Sequence, residues 1–201
     1  MLRIHGSARS RALRNLWMAE ELGIPYEHND ILPRSPETKT PEFRALNANL
    51  RVPVIDDDGF VLYESMAINL YLAKKHGSPL YPANAKDEAL TLQWCLWETD
   101  RLDRQITYYG NHTSTLPAAE RNPAIAESAW KEMVPALDVL EATLTKSAWL
   151  VGSTFSVADL NVAGALYRGL SMDFGQWPRV EAWLKRCWDR PAAKKARAMR
   201  E

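Results

Sequence analysis

The sequence predicts an α+β protein, a small mixed sheet with helices followed by an all-helical region. Three observations carry that prediction. In the first 77 residues, short alternating apolar runs are interleaved with stretches of 3.6-residue periodicity. The stretch "GSPLYPANA" then interrupts the pattern with two prolines and small polar residues. Beyond it every apolar repeat is helical. The expected organisation is a sheet domain over 1–77, a linker over 78–86 and a helical domain over 87–201. A chain of 201 residues is long enough to bury a core in each.

Taken in order, Leu2–His5 reads as a strand, and "SRALRNLWMAEELG" as a helix. The apolar positions Leu13, Leu16, Trp17 and Leu22 recur on one face, and Gly23 supplies the stop. "YEHNDIL" (26–32) reads as a second strand, and "TPEFRALN" as a short helix with Pro41 in its first turn. Val52–Ile55 and Val61–Leu62 flank Asp58-Gly59, a strong hairpin signal, and a helix runs from Glu64 to about His76. The sum is βαβ followed by αββα. In the second half, residues 87–110 repeat Leu90, Trp94, Trp97 and Leu102, which predicts one long helix. Residues 123–145 repeat Met133, Leu137, Leu140 and Leu144, with Pro135 expected to kink or split the helix. Ser156-x-x-Asp159 opens another helix as a capping box, and "QWPRVEAWLKRCWDR" forms a last one before Pro191.

Composition narrows the function classes. Lys plus Arg and Asp plus Glu both number 25, so there is no general attraction to nucleic acid or acidic membranes. No apolar run is long enough to span a bilayer, and the N-terminus lacks a signal-peptide apolar core. Cys95 and Cys187 lie far apart in helical patterns, which predicts buried free thiols and a cytoplasmic protein.

Candidate chemistry centres on two places. Proline is a poor residue for a strand interior, yet Val52-Pro53 opens the third apolar run. A cis bond there turns the N–H and C=O of Val52 toward an extended peptide ligand. The bland alternative is a trans proline at a sheet edge. Further on, Glu64-Ser65 begins a helix, where free N–H groups attract a carboxylate. Ser65 is placed to donate to that carboxylate and Glu64 to pair with an ammonium. Ser65 as a plain N-cap is the alternative.

These stretches, "RVPVIDDDGFVLYESMAINLYLAKKHG", "ALRNLWMAEELGIPYE", "PEFRALNANLRVPV" and "WLVGSTFSVADL", together resemble the cytosolic glutathione transferases. The resemblance implies a thioredoxin-like first domain, a homodimer, and glutathione as co-substrate with no metal. It implies that the cysteinyl part of glutathione pairs with the backbone at Val52, before Pro53. The γ-glutamyl end then sits on Glu64 and Ser65, and the glycine carboxylate meets Lys39 or Arg51. Glu98 or Asp100 is the acid expected to reach the partner's glutathione. Two features depart from the family pattern. "NANLR" replaces the frequent Asn-Pro-x-Gly before the basic residue, and the first domain has no cysteine. Mixed-disulfide classes that use an active-site cysteine are therefore disfavoured.

The reaction expected is attack of glutathione thiolate on an electrophilic, mostly hydrophobic substrate. A thiol near pKa ~8.5 is only a few per cent ionised at neutral pH. Lowering it by two units requires about 2.7 kcal/mol of preferential thiolate stabilisation. "GSARSRAL" offers Ser10 at the start of the first helix, with Arg9 and Ser7 as alternatives. Tyr108, Tyr109 and His112 are candidates for the acceptor pocket, or pack as ordinary interhelical aromatics. A non-catalytic glutathione-binding module and a glutathione-dependent disulfide or peroxide reductase are the competing readings.

Overall fold

A computed structural model describes residues 1–200, in two compact units. One comprises Met1–Tyr81 together with the chain from Trp188 onward, the other Pro82–Cys187. The division departs from chain order, because the last helix packs against the first. Among the described residues the strands are β1 (Leu2–His5), β2 (Tyr26–Asn29), β3 (Val54–Asp57) and β4 (Phe60–Tyr63). The helices are α1 (Ala12–Leu22), α2 (Pro41–Leu46), α3 (Ser65–Lys75), α4 (Ala85–Arg101) and α5 (Asp103–Gly110). They continue as α6 (Pro123–Lys146), α7 (Val157–Ala165), α8 (Pro178–Trp188) and α9 (Pro191–Ala198).

The sheet order is β2-β1-β3-β4, with β1 and β2 parallel and the other pairs antiparallel. This is the mixed four-stranded sheet expected from the alternating periods. Successive strand residues face opposite sides. Val54 therefore joins Ile31 and Phe43 in one cluster, while Ile4 and its partner Ile55 are buried on the other face. On that second side α1 packs against β1 and α3. Pro53 precedes β3 instead of lying within it, and the Val52–Pro53 peptide is cis. The β3–β4 turn has φ 52° at Asp58 and 90° at Gly59, the positive pair of a type I′ hairpin.

Gly23 ends α1 in the left-handed region at φ 61°, returning its N–H to the carbonyls of Ala19 and Glu20. Near that end, α1 acquires α9. Trp17 lies 4.5 Å from Trp188, centroid to centroid, and donates its indole N–H to Glu21. Arg190 closes a fork on the same carboxylate, with Nε and Nη2 at 2.6 and 2.7 Å. Two parallel charge-assisted bonds to a nearly buried carboxylate fix the last helix to the first.

In the second unit, the long helix expected over 87–110 is divided at Leu102 into α4 and α5. The bonding nevertheless passes through: Leu102 N–H donates to Glu98 O at 2.8 Å and its carbonyl accepts from Ile106 at 2.9 Å. A π-helical turn, Asn111–Thr115, follows. Pro135 does not split its helix, since α6 runs unbroken from Pro123 to Lys146. Buried Met133, Ala136, Leu137 and Leu140 bracket the proline and hold both halves against one core. That packing offsets a cost of about 3 kcal/mol for the missing bond.

The capping box at Ser156 is present and extended. Asp159 is fully buried and accepts four hydrogen bonds. Its Oδ2 takes Ser156 N–H and hydroxyl, both at 3.0 Å. Its Oδ1 takes Leu150 N–H at 3.0 Å and the Trp183 indole N–H at 2.9 Å. Burial pushes this carboxyl above its ordinary range, and the four donors oppose the shift.

Asp159→Asn turns an acceptor-only group into one whose amide faces N–H donors. We expect about 2–4 kcal/mol of destabilisation, lowering the thermal midpoint by roughly 5–10 °C. Differential scanning calorimetry checks this. A midpoint unchanged within a degree contradicts the role given to the carboxylate.

Candidate functional site

Unit 1 brings the expected elements together through close packing of three chain segments. Gly6 follows β1 at φ 140°, where a Cβ would lie 2.9 Å from Ala12 Cβ and 3.0 Å from Val52 Cβ. Only glycine fits that approach, so the β1–α1 loop touches the chain at Val52–Pro53. The loop then turns on itself. Ser10 N–H and Ser10 hydroxyl both donate to the Ser7 carbonyl, at 2.8 and 2.7 Å. Ser10 Oγ accepts the N–H of Ala12, the first residue of α1, at 3.1 Å. Ser7 is buried, and its Oγ accepts Arg9 N–H at 3.2 Å. The helix begins at residue 12, two residues later than the expected start at Ser10, which leaves Ser10 in the turn in front of it.

The head of α3 is fastened to α1 by buried polar groups. Arg14 Nη1 donates to Ser65 Oγ at 3.1 Å. Asn15 Nδ2 donates to the Ser65 carbonyl at 2.8 Å and to Asn69 Oδ1 at 2.7 Å. Asn69 Nδ2 reaches back to the Arg14 carbonyl at 3.3 Å. All four residues are at least nine-tenths buried. Ser65 is thus the first residue of α3 and not its N-cap. Its oxygen accepts from Arg14, so its own hydroxyl proton points to another partner. Glu64 occupies the cap position with an exposed side chain and φ 72°.

The basic candidates stand further out. Lys39 ends a short 3₁₀ turn, Pro36–Lys39, and Arg51 precedes Val52; both side chains are exposed. Asn47 shapes this loop by donating Nδ2 to the Arg51 carbonyl at 2.9 Å. Leu50 sits at φ 55°, in the position where the "NANLR" loop departs from the glycine pattern. Of the two candidate acids on α4, Glu98 is fully buried and Asp100 faces outward, beside Arg101 at 2.9 Å.

In unit 2, Tyr108 and His112 line a groove of about 630 Å³ with Arg104, Gln105, Ser128 and Glu132. His112 Nδ1 accepts the Asn122 N–H at 3.1 Å, which places the neutral imidazole's proton on Nε2. The Tyr109 ring lies 5.4 Å from that of Trp130. Among the described residues no cluster of His, Cys, Asp or Glu is arranged to hold a metal ion. No helix among them is long and apolar enough to cross a membrane.

The motif reading missed Arg14, Asn15 and Asn69. A signal existed: "LRNLW" places two polar residues within a helix whose first eight positions are all buried. A buried polar pair demands partners, and the head of α3 supplies them.

Known proteins align with this geometry. Residues 9–75 match the model described as glutathione S-transferase, N-terminal domain, and residues 106–191 match glutathione S-transferase, C-terminal domain. Glutathione S-transferase GstB of Escherichia coli is 27% identical over 97% of both chains. Disulfide-bond oxidoreductase YfcG of the same organism is 33% identical, over 78% of this chain and 75% of that one. The crystal structure of the theta class glutathione S-transferase from Xanthomonas axonopodis pv. citri, with glutathione bound, superimposes with a TM-score of 0.91. It is 30% identical, over 97% of this chain and 96% of that chain.

A non-glycine residue at φ 72° costs about 1–3 kcal/mol and persists only where its surroundings impose it. Glu64→Gly removes that strain while enlarging unfolded-state entropy. We expect a net gain of about 0.5–1 kcal/mol, read as a higher urea midpoint. A lower midpoint shows that the Glu64 side chain contributes more to folding than the backbone strain costs.

Proposed function

The chain belongs to the glutathione S-transferase family, and from that premise we propose that it activates the glutathione thiol with Ser10 for attack on an electrophilic carbon. Glutathione is the co-substrate. The cysteinyl backbone pairs with Val52 beside Pro53. The γ-glutamyl end rests on Ser65, at the head of α3, with Glu64 toward its ammonium. Lys39 or Arg51 meets the glycine carboxylate. The electrophile occupies a pocket to which Tyr108, Tyr109 and His112 contribute. A cytoplasmic location accords with two buried cysteines.

The observation that carries the proposal is the hydrogen-bonding state of Ser10. Its oxygen already accepts the Ala12 N–H, which polarises the hydroxyl toward donation. Turning the hydroxyl to a thiolate gives up the bond to the Ser7 carbonyl, but Ser10 N–H keeps that carbonyl satisfied. Ser7 is buried, and the Arg9 side chain points to the Arg200 carbonyl. Neither alternative is as free to serve a ligand. A second reading, disulfide reduction by bound glutathione, is favoured by the 33% identity to a disulfide-bond oxidoreductase. Cys95 and Cys187 are both buried, so that activity also has to use the thiol of glutathione.

Exposed Leu92 and Leu96 lie one turn apart on α4, at 47% and 72% exposure. They give the proposed homodimer an apolar face to cover. Asp100, one turn further on, is the acid offered to the partner's glutathione.

Ser10→Ala tests the catalytic assignment. The acidic limb of kcat/KM is expected to move up by about one unit or more, with glutathione affinity little changed. An unmoved limb and normal rate transfer the role to Arg9 or Ser7. Reduction of a glutathione mixed disulfide, measured beside conjugation of an aryl halide, ranks the two chemistries. For the dimer, sedimentation velocity at micromolar concentration should give two chains per particle, and Leu96→Glu should give one. A wild-type monomer removes this part of the proposal.

A further inference from the structure

The turn carrying Ser10 is gripped from outside by the chain that follows α9. Arg200 Nη1 donates to the Ala8 carbonyl at 3.1 Å. Arg9 Nε returns a longer bond to the Arg200 carbonyl at 3.4 Å. The clasp is reciprocal, and both halves act on the Ala8–Arg9 peptide unit or its neighbour. A planar peptide points its C=O and N–H in opposite directions. Holding the Ala8 carbonyl toward Arg200 therefore aims the Arg9 N–H the other way, where it meets Ser7 Oγ at 3.2 Å. Ser7 in turn supplies the carbonyl on which Ser10 rests through both its N–H and its hydroxyl. Ala8 is 1% exposed and offers only a methyl group, so its side chain gives this peptide no polar anchor.

We propose that Arg200 is a positioning residue for thiol activation: its guanidinium fixes the Ala8–Arg9 peptide and thereby the direction in which the Ser10 hydroxyl donates. The inference rests on the reading of Ser10 as the thiolate donor. Arg200 itself touches no reacting atom. It acts through the turn, and its charge adds to the positive potential that favours thiolate over thiol. A lysine keeps the charge without the planar fork, so charge and geometry separate in Arg200→Lys and Arg200→Met.

The test measures kcat/KM against pH, and the ultraviolet absorbance of bound thiolate against pH, for wild type and both variants. Glutathione affinity by calorimetry and thermal midpoints are recorded alongside. In Arg200→Met the thiol pKa should rise by about half to one unit, and kcat/KM near pH ~6.5 should fall roughly three- to tenfold. The deficit should close above the shifted pKa, with affinity within about twofold of wild type. Arg200→Lys should fall between, and it carries the test if Arg200→Met does not fold. A lowered midpoint with an unmoved limb in both folded variants overturns the inference and leaves a purely structural clasp. Ser10→Ala run in parallel separates the layers. If it moves the limb and the Arg200 variants do not, only this inference fails; if it leaves the limb unmoved, the reading beneath it fails first.

Discussion

The buried hydrogen bonds between α1 and α3 are the constraint on which the rest of unit 1 depends. Arg14, Asn15, Ser65 and Asn69 are at least nine-tenths buried, and burying such groups is favourable only when they find partners. Hydrophobic packing of Leu13, Leu16, Ile68 and Leu72 brings the helices together but tolerates sliding, because it is non-directional. The polar bonds do not tolerate it. A shift of one residue along either helix breaks Asn15–Asn69 and leaves two amides buried without partners. The register between the start of α1 and the start of α3 is set in this way, and with it the spacing between Ser10 and the Glu64-Ser65 pair.

The same logic explains where backbone strain is allowed. Gly6, Leu50 and Glu64 carry positive φ angles in the three segments that border the site. Each segment is pinned by stronger interactions on both sides: β1 and the Ser7 turn, Asn47 on the Arg51 carbonyl, and Arg14 and Asn15 on Ser65. A cost of about 1–3 kcal/mol per strained residue persists only where the surroundings over-determine the conformation. Glycine meets the requirement at Gly6, where a side chain would collide with Ala12 and Val52. Leucine and glutamate meet it at the other two positions by being held.

Much of this was legible before the structure. Strand and helix periods, Asp58-Gly59, Gly23 and Ser156-x-x-Asp159 are local signals, and each specifies its own geometry. The boundaries that slipped have tertiary causes. The expected strand over 26–32 stops at Asn29, although Ile31 stays buried, because beyond Asn29 the chain bends and Ser7 N–H takes the Ile31 carbonyl. Pro135 reads as a break in isolation, and only the shared core beneath α6 shows why the helix continues. Placing the last helix against α1 depended on Arg190 finding Glu21, residues 169 positions apart. No periodicity reports a contact of that range. For the candidate site, Val52-Pro53 and Glu64-Ser65 were readable because a proline opening a strand and an acid-serine pair opening a helix are local signals. Arg14 and Arg200 were not, since an arginine in a sequence does not say whether it is solvated or gripping a carbonyl.

The electrostatics of the turn bear on whether a lone serine suffices for the chemistry proposed. Residues 6–14 contain Arg9, Arg11 and Arg14 and no acidic residue, so nothing local opposes an anion in front of Ser10. The N-terminus of α1 adds a favourable dipole of about 0.3–1 kcal/mol. A hydrogen bond from a hydroxyl to a charged acceptor contributes roughly 1.5–3 kcal/mol. Together these span the ~2.7 kcal/mol that a two-unit depression of a thiol pKa requires. A metal or a protein cysteine is therefore not needed to reach a reactive thiolate near neutral pH. The turn needs only to hold its donors still, and the buried bonds beneath it and the arginine clasp beside it are arranged to do that.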